Sequence, residues 1–166
     1  VAINGCTIQD NAIYSTSTAN GGGIYYLAGY GYNTATMTIT DSTIKGNTAT
    51  NGGGICNYQS TLTITGSTIQ ENNAIVGAGI WSSGTTSISD STITGNIASI
   101  QGGGIDHRGG TLTVTETDIT HNTATSYGGG ISNDGTLNIQ NSAINDNTAM
   151  FGGGIYNIDR EVVLDN

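Results

Sequence analysis

The sequence is poor in charge, in basic residues above all. Charged residues make up 9% of its 166 positions, and only Lys45, Arg108 and Arg160 are basic, against twelve acidic residues. A formal net charge of −9 excludes the basic surface that nucleic-acid phosphates require, and equally disfavours docking on anionic lipid. Low charge also argues against solvated disorder, which combines low hydrophobicity with many charges. No apolar run approaches the length of a membrane span and no signal peptide is legible, so insertion of this segment in a bilayer is not expected. Aromatic residues are 6% of the chain, and there are two cysteines, Cys6 and Cys56, a count that says little about redox compartment. What the chain has instead is Gly, 27 residues of it, with Thr, Ser and Asn. That composition points outside the cytoplasm, to an extracellular or cell-surface protein. The start at Val1, without methionine, reads as a processed or excised piece.

Internal repetition organises everything else. An isoleucine closes each G-x-G-I element at Ile24, Ile55, Ile80, Ile105, Ile131 and Ile155. The apolar residue of T-L-T-I-T recurs at Ile3, Ile39, Ile64, Ile88, Val114, Ile139 and Leu164, and I-x-x-N recurs at Ile8/Asn11, Ile44/Asn47, Ile69/Asn72, Ile93/Asn96, Ile119/Asn122 and Ile144/Asn147. All three markers march together with a period of about 25 residues. Within each unit apolar residues alternate with hydroxyl residues, the period of a strand with one buried face. No segment sustains a helical period. Each unit supplies three short strands, G-I-x-N, T-L-T-I-T and S-T-I, separated by Gly-rich or Asn-rich corners. One unit alone cannot bury its apolar face, but coils stacked on one another can. The expected fold is therefore all-β: a right-handed parallel β-helix (β-solenoid) of roughly six coils over 1–166, on the order of 30 Å long.

The triple glycines fit corners needing positive φ or close backbone approach. Asn11, Asn47, Asn72, Asn96, Asn122 and Asn147 are expected to form a hydrogen-bonded ladder, with Asn taking up the left-handed corner geometry.

GGGI followed by I-x-x-N resembles the GGA[ILV] and FxxN repeats of polymorphic outer-membrane autotransporter proteins. More broadly it resembles the parallel β-helix repeats of large bacterial and archaeal surface proteins. The resemblance covers essentially the whole chain, with Gly for Ala in most copies, Gly77-Ala78-Gly79-Ile80 differing again, and Ile for Phe throughout. It implies a surface-exposed scaffold or adhesin.

A polysaccharide lyase or hydrolase is the alternative, since such enzymes share the fold, but fold alone does not assign chemistry. A hydrolase needs converging carboxylates. Asp90 and Glu116 occupy equivalent positions in adjacent coils with Asp118 two residues on, and Asp106-His107-Arg108 is the other dense polar cluster. These read as turn residues and a solvated Arg108–Asp134 surface pair, with His107 in a corner hydrogen-bonding role in the column of Asn57, Ser82 and Asn133, and His121 exposed. No nucleophile–base pair or metal triad is legible, so the chain is read as non-catalytic, with no cofactor and no metal site. Cys6 falls in the inward column of Ser42, Ser67, Ser91 and Ser142, while Cys56 points outward about two coils away, beyond the roughly 7 Å reach of a disulfide.

Two surfaces invite partners. Thr36, Thr61, Thr85, Thr111 and Thr136, beside Thr38, Thr63, Ser87 and Thr113, make a T-x-T array similar to those of ice-binding β-solenoids, a minor alternative because Thr simply suits half-buried strands. The first coil, about 12–40, carries two loop insertions and five tyrosines, Tyr14, Tyr25, Tyr26, Tyr30 and Tyr32. Those residues are candidates for contact with surface glycans or proteins of a host or neighbouring cell, or else a shield over the coil stack. Finally, Val1-Ala2-Ile3-Asn4 aligns with Val162-Val163-Leu164-Asp165. Open ends in the same phase imply head-to-tail self-association or continuation in a longer chain.

Overall fold

Alternation of apolar and hydroxyl residues at every second position forms the strands, and in the computed structural model the recurring apolar residues, such as Ile39, Ile64, Ile88 and Val114, turn to the buried side, while Tyr25, Leu27, Ile75 and Ile97 stay exposed. The structure describes residues 1–14, 19–28, 35–158 and 162–165. Among these residues every regular element is a strand, and every strand pairing is parallel. One sheet of seven strands runs from Ala2–Asn4 through Thr36–Thr40, Thr61–Thr65, Thr86–Ser89, Thr111–Thr115 and Thr136–Gln140 to Val162–Asp165. A second, of six, runs from Ile24–Leu27 to Ile155–Asn157, and a third, also of six, from Thr7–Gln9 to Ala143–Asn145. Each strand pairs with its counterpart one coil away, so the chain is a parallel β-solenoid with a coil of about 25 residues.

Register explains the sequence markers. Ile3, Ile39, Ile64, Ile88, Val114, Ile139 and Leu164 stack one above another, and so do Ile24, Ile55, Ile80, Ile105, Ile131 and Ile155. Together with the S-T-I isoleucines they build a single continuous apolar core, where burying each such side chain is worth about 1.5–3 kcal/mol. A fourth, short sheet of Asn73–Val76, Ile97–Gln101 and Thr123–Ala124 was not expected from the pattern. Its inward residues are alanines: Ala74, Ala98 and Ala124, joined by Ala78 of the neighbouring glycine corner, form a separate buried cluster. Thr86 also departs from expectation, standing buried in the column of Leu62 and Leu112. Its hydroxyl is paired with Ser82 Oγ at 2.6 Å, which offsets the cost of placing a polar group there.

Inside the corners, polar side chains hold adjacent coils together. Asn11 donates through Nδ2 to Asn47 Oδ1 at 2.9 Å, Asn47 to Asn72 at 3.0 Å, Asn72 to Asn96 at 2.9 Å, Asn96 to Asn122 at 2.9 Å and Asn122 to Asn147 at 3.1 Å. Each Oδ1 also accepts the backbone N–H of the Asn one coil earlier, as Asn122 Oδ1 does from Asn96 N at 3.0 Å. The second amide hydrogen goes to a strand carbonyl, from Asn96 to Ile69 O at 3.0 Å. An amide is the side chain that can fill all three roles. A second ladder follows the same logic with hydroxyls. Ser42 N donates to Ser67 Oγ at 3.1 Å, Ser67 N to Ser91 Oγ at 3.1 Å, and Thr117 N to Ser142 Oγ at 3.1 Å. Each hydroxyl donates to the carbonyl two residues before it, Ser42 to Thr40 O at 2.7 Å.

The left-handed residue of each corner is not the ladder Asn, as expected, but the residue immediately before it. Positive φ falls on Asp10, Gly46, Glu71, Gly95, His121 and Asp146, each preceding a ladder Asn, and on Gly5, Asp41, Gly66, Asp90, Glu116 and Asn141, each preceding the second ladder. The left-handed residue turns its side chain to solvent, so the inward Asn must be its neighbour. At the third corner only Gly serves. Gly102 takes φ of 64°, and a Cβ on Gly104 would lie 2.6 Å from Gly130 O. The close approach of one coil's backbone to the next therefore forbids any side chain there.

Removing one ladder amide orphans the buried groups it pairs. Asn96→Ala is expected to destabilise the chain by about 3–5 kcal/mol, since each unpaired buried group costs about 1–3 kcal/mol. Thr63→Ala, on the outward side of its strand, should stay within about 0.5 kcal/mol. Urea unfolding followed by circular dichroism measures both.

Candidate functional site

The sequence-predicted tyrosines do not share one environment. Tyr14 is 87% exposed and Tyr25 47% exposed. Tyr26 turns against the core and its hydroxyl donates to Thr36 O at 3.1 Å. Tyr30 and Tyr32, with most of the two first-coil insertions, lie outside the described residues. The carboxylates of Asp90 and Glu116 sit on left-handed corner residues, with φ of 50° and 48°. Among the described residues, no three His, Cys, Asp or Glu side chains gather as metal ligands would.

Polar chemistry concentrates instead on the second sheet, around Asp106, His107 and Arg108. The strand Ile105–His107 alternates, so Ile105 and His107 face inward and Asp106 outward. Asp106 is nonetheless fully buried. Gln101 Nε2 donates to its Oδ1 at 2.8 Å and Arg108 Nε to its Oδ2 at 2.5 Å. Arg108 therefore pairs with a buried carboxylate on its own strand rather than forming the solvated pair expected with Asp134. Burial pushes the Asp106 carboxyl above the usual range, and the Arg108 guanidinium pulls it back.

His107 lies in register with Ser82 and Asn133, but it does not take the corner hydrogen-bonding role expected of it. It is fully buried, and among the described residues neither ring nitrogen nor Asn133 Oδ1 has a hydrogen-bond partner of good geometry; the nearby Gly110 backbone and Asp134 charge only partly offset the burial. Elsewhere the same column is paired: Asn57 Nδ2 donates to Ser82 Oγ at 3.2 Å and Asn133 Nδ2 to Asn157 Oδ1 at 2.7 Å. The imidazole interrupts the chain because its ring cannot donate and accept from one end as an amide does. Burial lowers its pKa to about 4. His121 is exposed, with Nε2 3.9 Å from Asp146 Oδ2.

Beside this cluster the surface is indented. Outward positions of the second sheet place Tyr58, Ser83 and Arg108 on successive coils, with Trp81 adjacent. Two residues, Gln59 and Ser60, join Tyr58 to Thr61, and Gly109 and Gly110 join Arg108 to Thr111, but Gly84 alone joins Ser83 to Thr85. The shorter corner and the small side chain of Ser83 leave a notch between larger neighbours. Two adjoining cavities, of about 320 and 430 Å³, share Gln59, Ser83 and Gly84; Arg108 and Trp81 line the larger. The Tyr58 and Trp81 rings stack at its edge, with centroids 5.7 Å apart and planes 12° apart.

Residues 41–58 match the family model of the Chlamydia polymorphic membrane protein repeat. The chain carries a β-helix repeat of that type. Its matched stretch holds the left-handed Asp41, the ladder residues Ser42 and Asn47, the core Ile44 and the corner Gly52-Gly53-Gly54 with Ile55. The matched stretch thus includes the residues that hold coil to coil in this chain. No curated protein and no solved structure matches the chain.

Both cysteines are free thiols. Cys6 is exposed on the coil whose neighbour is Ser42, and its backbone N–H donates to Ser42 Oγ at 3.1 Å. Cys56 faces outward, as expected, but is buried, because its register neighbours are Tyr25 and Trp81.

Two measurements follow. With a folded pKa of about 4 against an ordinary 6.5, His107 takes up its proton more readily in the unfolded chain, so stability falls as pH drops from 6.5 toward 4. The loss is about 3 kcal/mol. Asp106 works in the opposite direction, since its raised pKa favours the protonated fold as pH falls. Arg108 and Asp134 are the charged neighbours of the pair. His107→Asn should restore the hydrogen-bonded column and remove the acid-side loss, measured as urea midpoints from pH 7 to pH 4. Burial also pushes the Cys56 thiol up to about 12. In a Cys6→Ser background a thiol reagent at pH 8 should leave Cys56 unmodified until denaturant is added, as counted by mass spectrometry.

Proposed function

We propose that this chain is a section of a surface-exposed, non-catalytic β-solenoid that forms the rigid body of a stalk, fibre or adhesin. One observation carries the reading: the polar residues that recur with the period are engaged in holding coil to coil. The Asn and hydroxyl ladders face inward, and the recurrent carboxylates stand on left-handed corners where geometry demands an outward side chain. The match of residues 41–58 to a polymorphic membrane protein repeat supports placement at a cell surface, of the outer-membrane kind. A net charge of −9 distributed over corners keeps such a rod soluble without disturbing its apolar interior.

The same reading includes a neighbour along the axis. Beside Val162–Asp165 a recess of about 320 Å³ is lined by Ile139, Ile144, Ile155 and Leu164. One further coil in the same phase, from a longer chain or from a second copy stacked head to tail, fills it with inward isoleucines. Such a contact is heterologous and propagates along the axis rather than closing into a ring. An antiserum raised against the segment should label intact, unpermeabilised source cells. Labelling only after lysis contradicts surface placement.

A further inference from the structure

The notch at Ser83 and Gly84 has the features of a ligand site that the coil-stacking machinery does not explain. Its walls come from three successive coils, so it is built by the stack rather than by a mobile loop. Tyr58 stacks on Trp81 beside it, ring against ring, and so braces the chain's one tryptophan at the notch. Across the notch stands Arg108, held at Nε by the buried Asp106, which is itself fixed by Gln101. Anchoring of this kind removes much of the rotamer entropy that an exposed arginine loses on binding. Gln59, exposed at the rim with φ of 52°, and Ser83 each offer a donor and an acceptor.

We propose that this notch binds an uncharged carbohydrate chain, one sugar ring resting against the Trp81 indole that Tyr58 braces. The apolar C–H face of a pyranose matches an aromatic surface, and its hydroxyls need groups that both donate and accept. Charge selects against acidic sugars. Asp106 already compensates Arg108 at 2.5 Å, and the chain carries −9 overall, so a carboxylated ligand meets no free cation and a repelling field. A cavity of about 430 Å³ is at the small end for ligand sites, suited to a short stretch of chain lying across the coils. The inference deepens the surface-scaffold reading, giving the rod a place to contact a glycan, and rests on it only for the setting.

Trp81 makes the test direct, because its fluorescence reports on the notch alone. The purified chain is titrated with cello-, manno- and galacto-tetraose, with tetragalacturonate and with an acidic hexapeptide. At least one neutral tetraose should change the emission saturably and bind at least about tenfold more tightly than tetragalacturonate. Tyr58→Ala should weaken that binding about tenfold by removing the ring that braces the indole. Ser83→Phe, which fills the notch from an outward strand position, should abolish binding with an unchanged melting temperature. The proposal is overturned if no neutral tetraose gives a saturable change, if the acidic sugar or the peptide binds more tightly, or if Tyr58→Ala binds like the wild type. Any of these leaves the surface reading standing, because cell labelling tests that separately.

Discussion

A parallel coil must turn about every few residues, and each turn leaves backbone groups that no strand partner reaches. Buried and unpaired, each would cost about 1–3 kcal/mol, enough over several coils to prevent folding. The inward Asn ladder meets this constraint by letting one side chain serve as the missing backbone. Asn72 accepts from Asn47 at both N and Nδ2, and donates onward to Asn96. Because every amide depends on the coils before and after it, the interaction works only in a stack. The requirement for repetition thus follows from the corner rather than from the strands.

Once the corners are fixed, the rest of the coil is constrained by them. The residue before each ladder Asn must be left-handed with its side chain in solvent, which here is met by Gly, Asp, Glu or His and so sets where several acidic residues stand. Gly53 must stay bare because the next coil's backbone passes so close, with Ala78 O 2.7 Å from where its Cβ would sit. Outward strand positions carry no such constraint. Variation in corner length, as at Gly84, changes the surface without disturbing the ladder, and a rigid rod gains a recess in this way. A stack locked from within thereby leaves its outer face free to carry recognition, as loops on rigid scaffolds do elsewhere.

Much of this was legible in the sequence for a physical reason: the inward isoleucines and asparagines have the same job in every coil, so the same residue types return in phase. What escaped the pattern lacked that uniformity. The fourth sheet was hidden because Asn73–Val76 and Ile97–Gln101 share only an inward Ala, too small to stand out as a hydrophobic marker. Left-handed geometry was assigned to Asn by its intrinsic preference, whereas Asp, Glu and even His take that position here and leave Asn the inward one. Thr86 is the one hydroxyl residue in an otherwise apolar inward column, opposite Leu62 and Leu112, and a marker built on Leu and Ile does not register it. The Trp81 notch depends on one residue missing from a corner, a feature that averaging over repeats removes, and on a Tyr–Trp contact between residues 23 positions apart. The burial of Asp106 was not legible because its strand parity points outward; its Gln101 and Arg108 partners belong to the structure and not to the pattern.

The central claim is that side-chain ladders, not strand pairing alone, hold the corners. Native-state hydrogen exchange tests it at the amides concerned. The backbone N–H groups of Asn47, Asn72 and Asn96 donate only to a side-chain oxygen of the next coil, as do those of Ser42 and Ser67. If the ladders carry the stack, these amides exchange as slowly as those of Ile64 and Ile88 within the core strands, and through the same global opening. Exchange at the rate of exposed turns, with the strand amides still protected, would contradict the account.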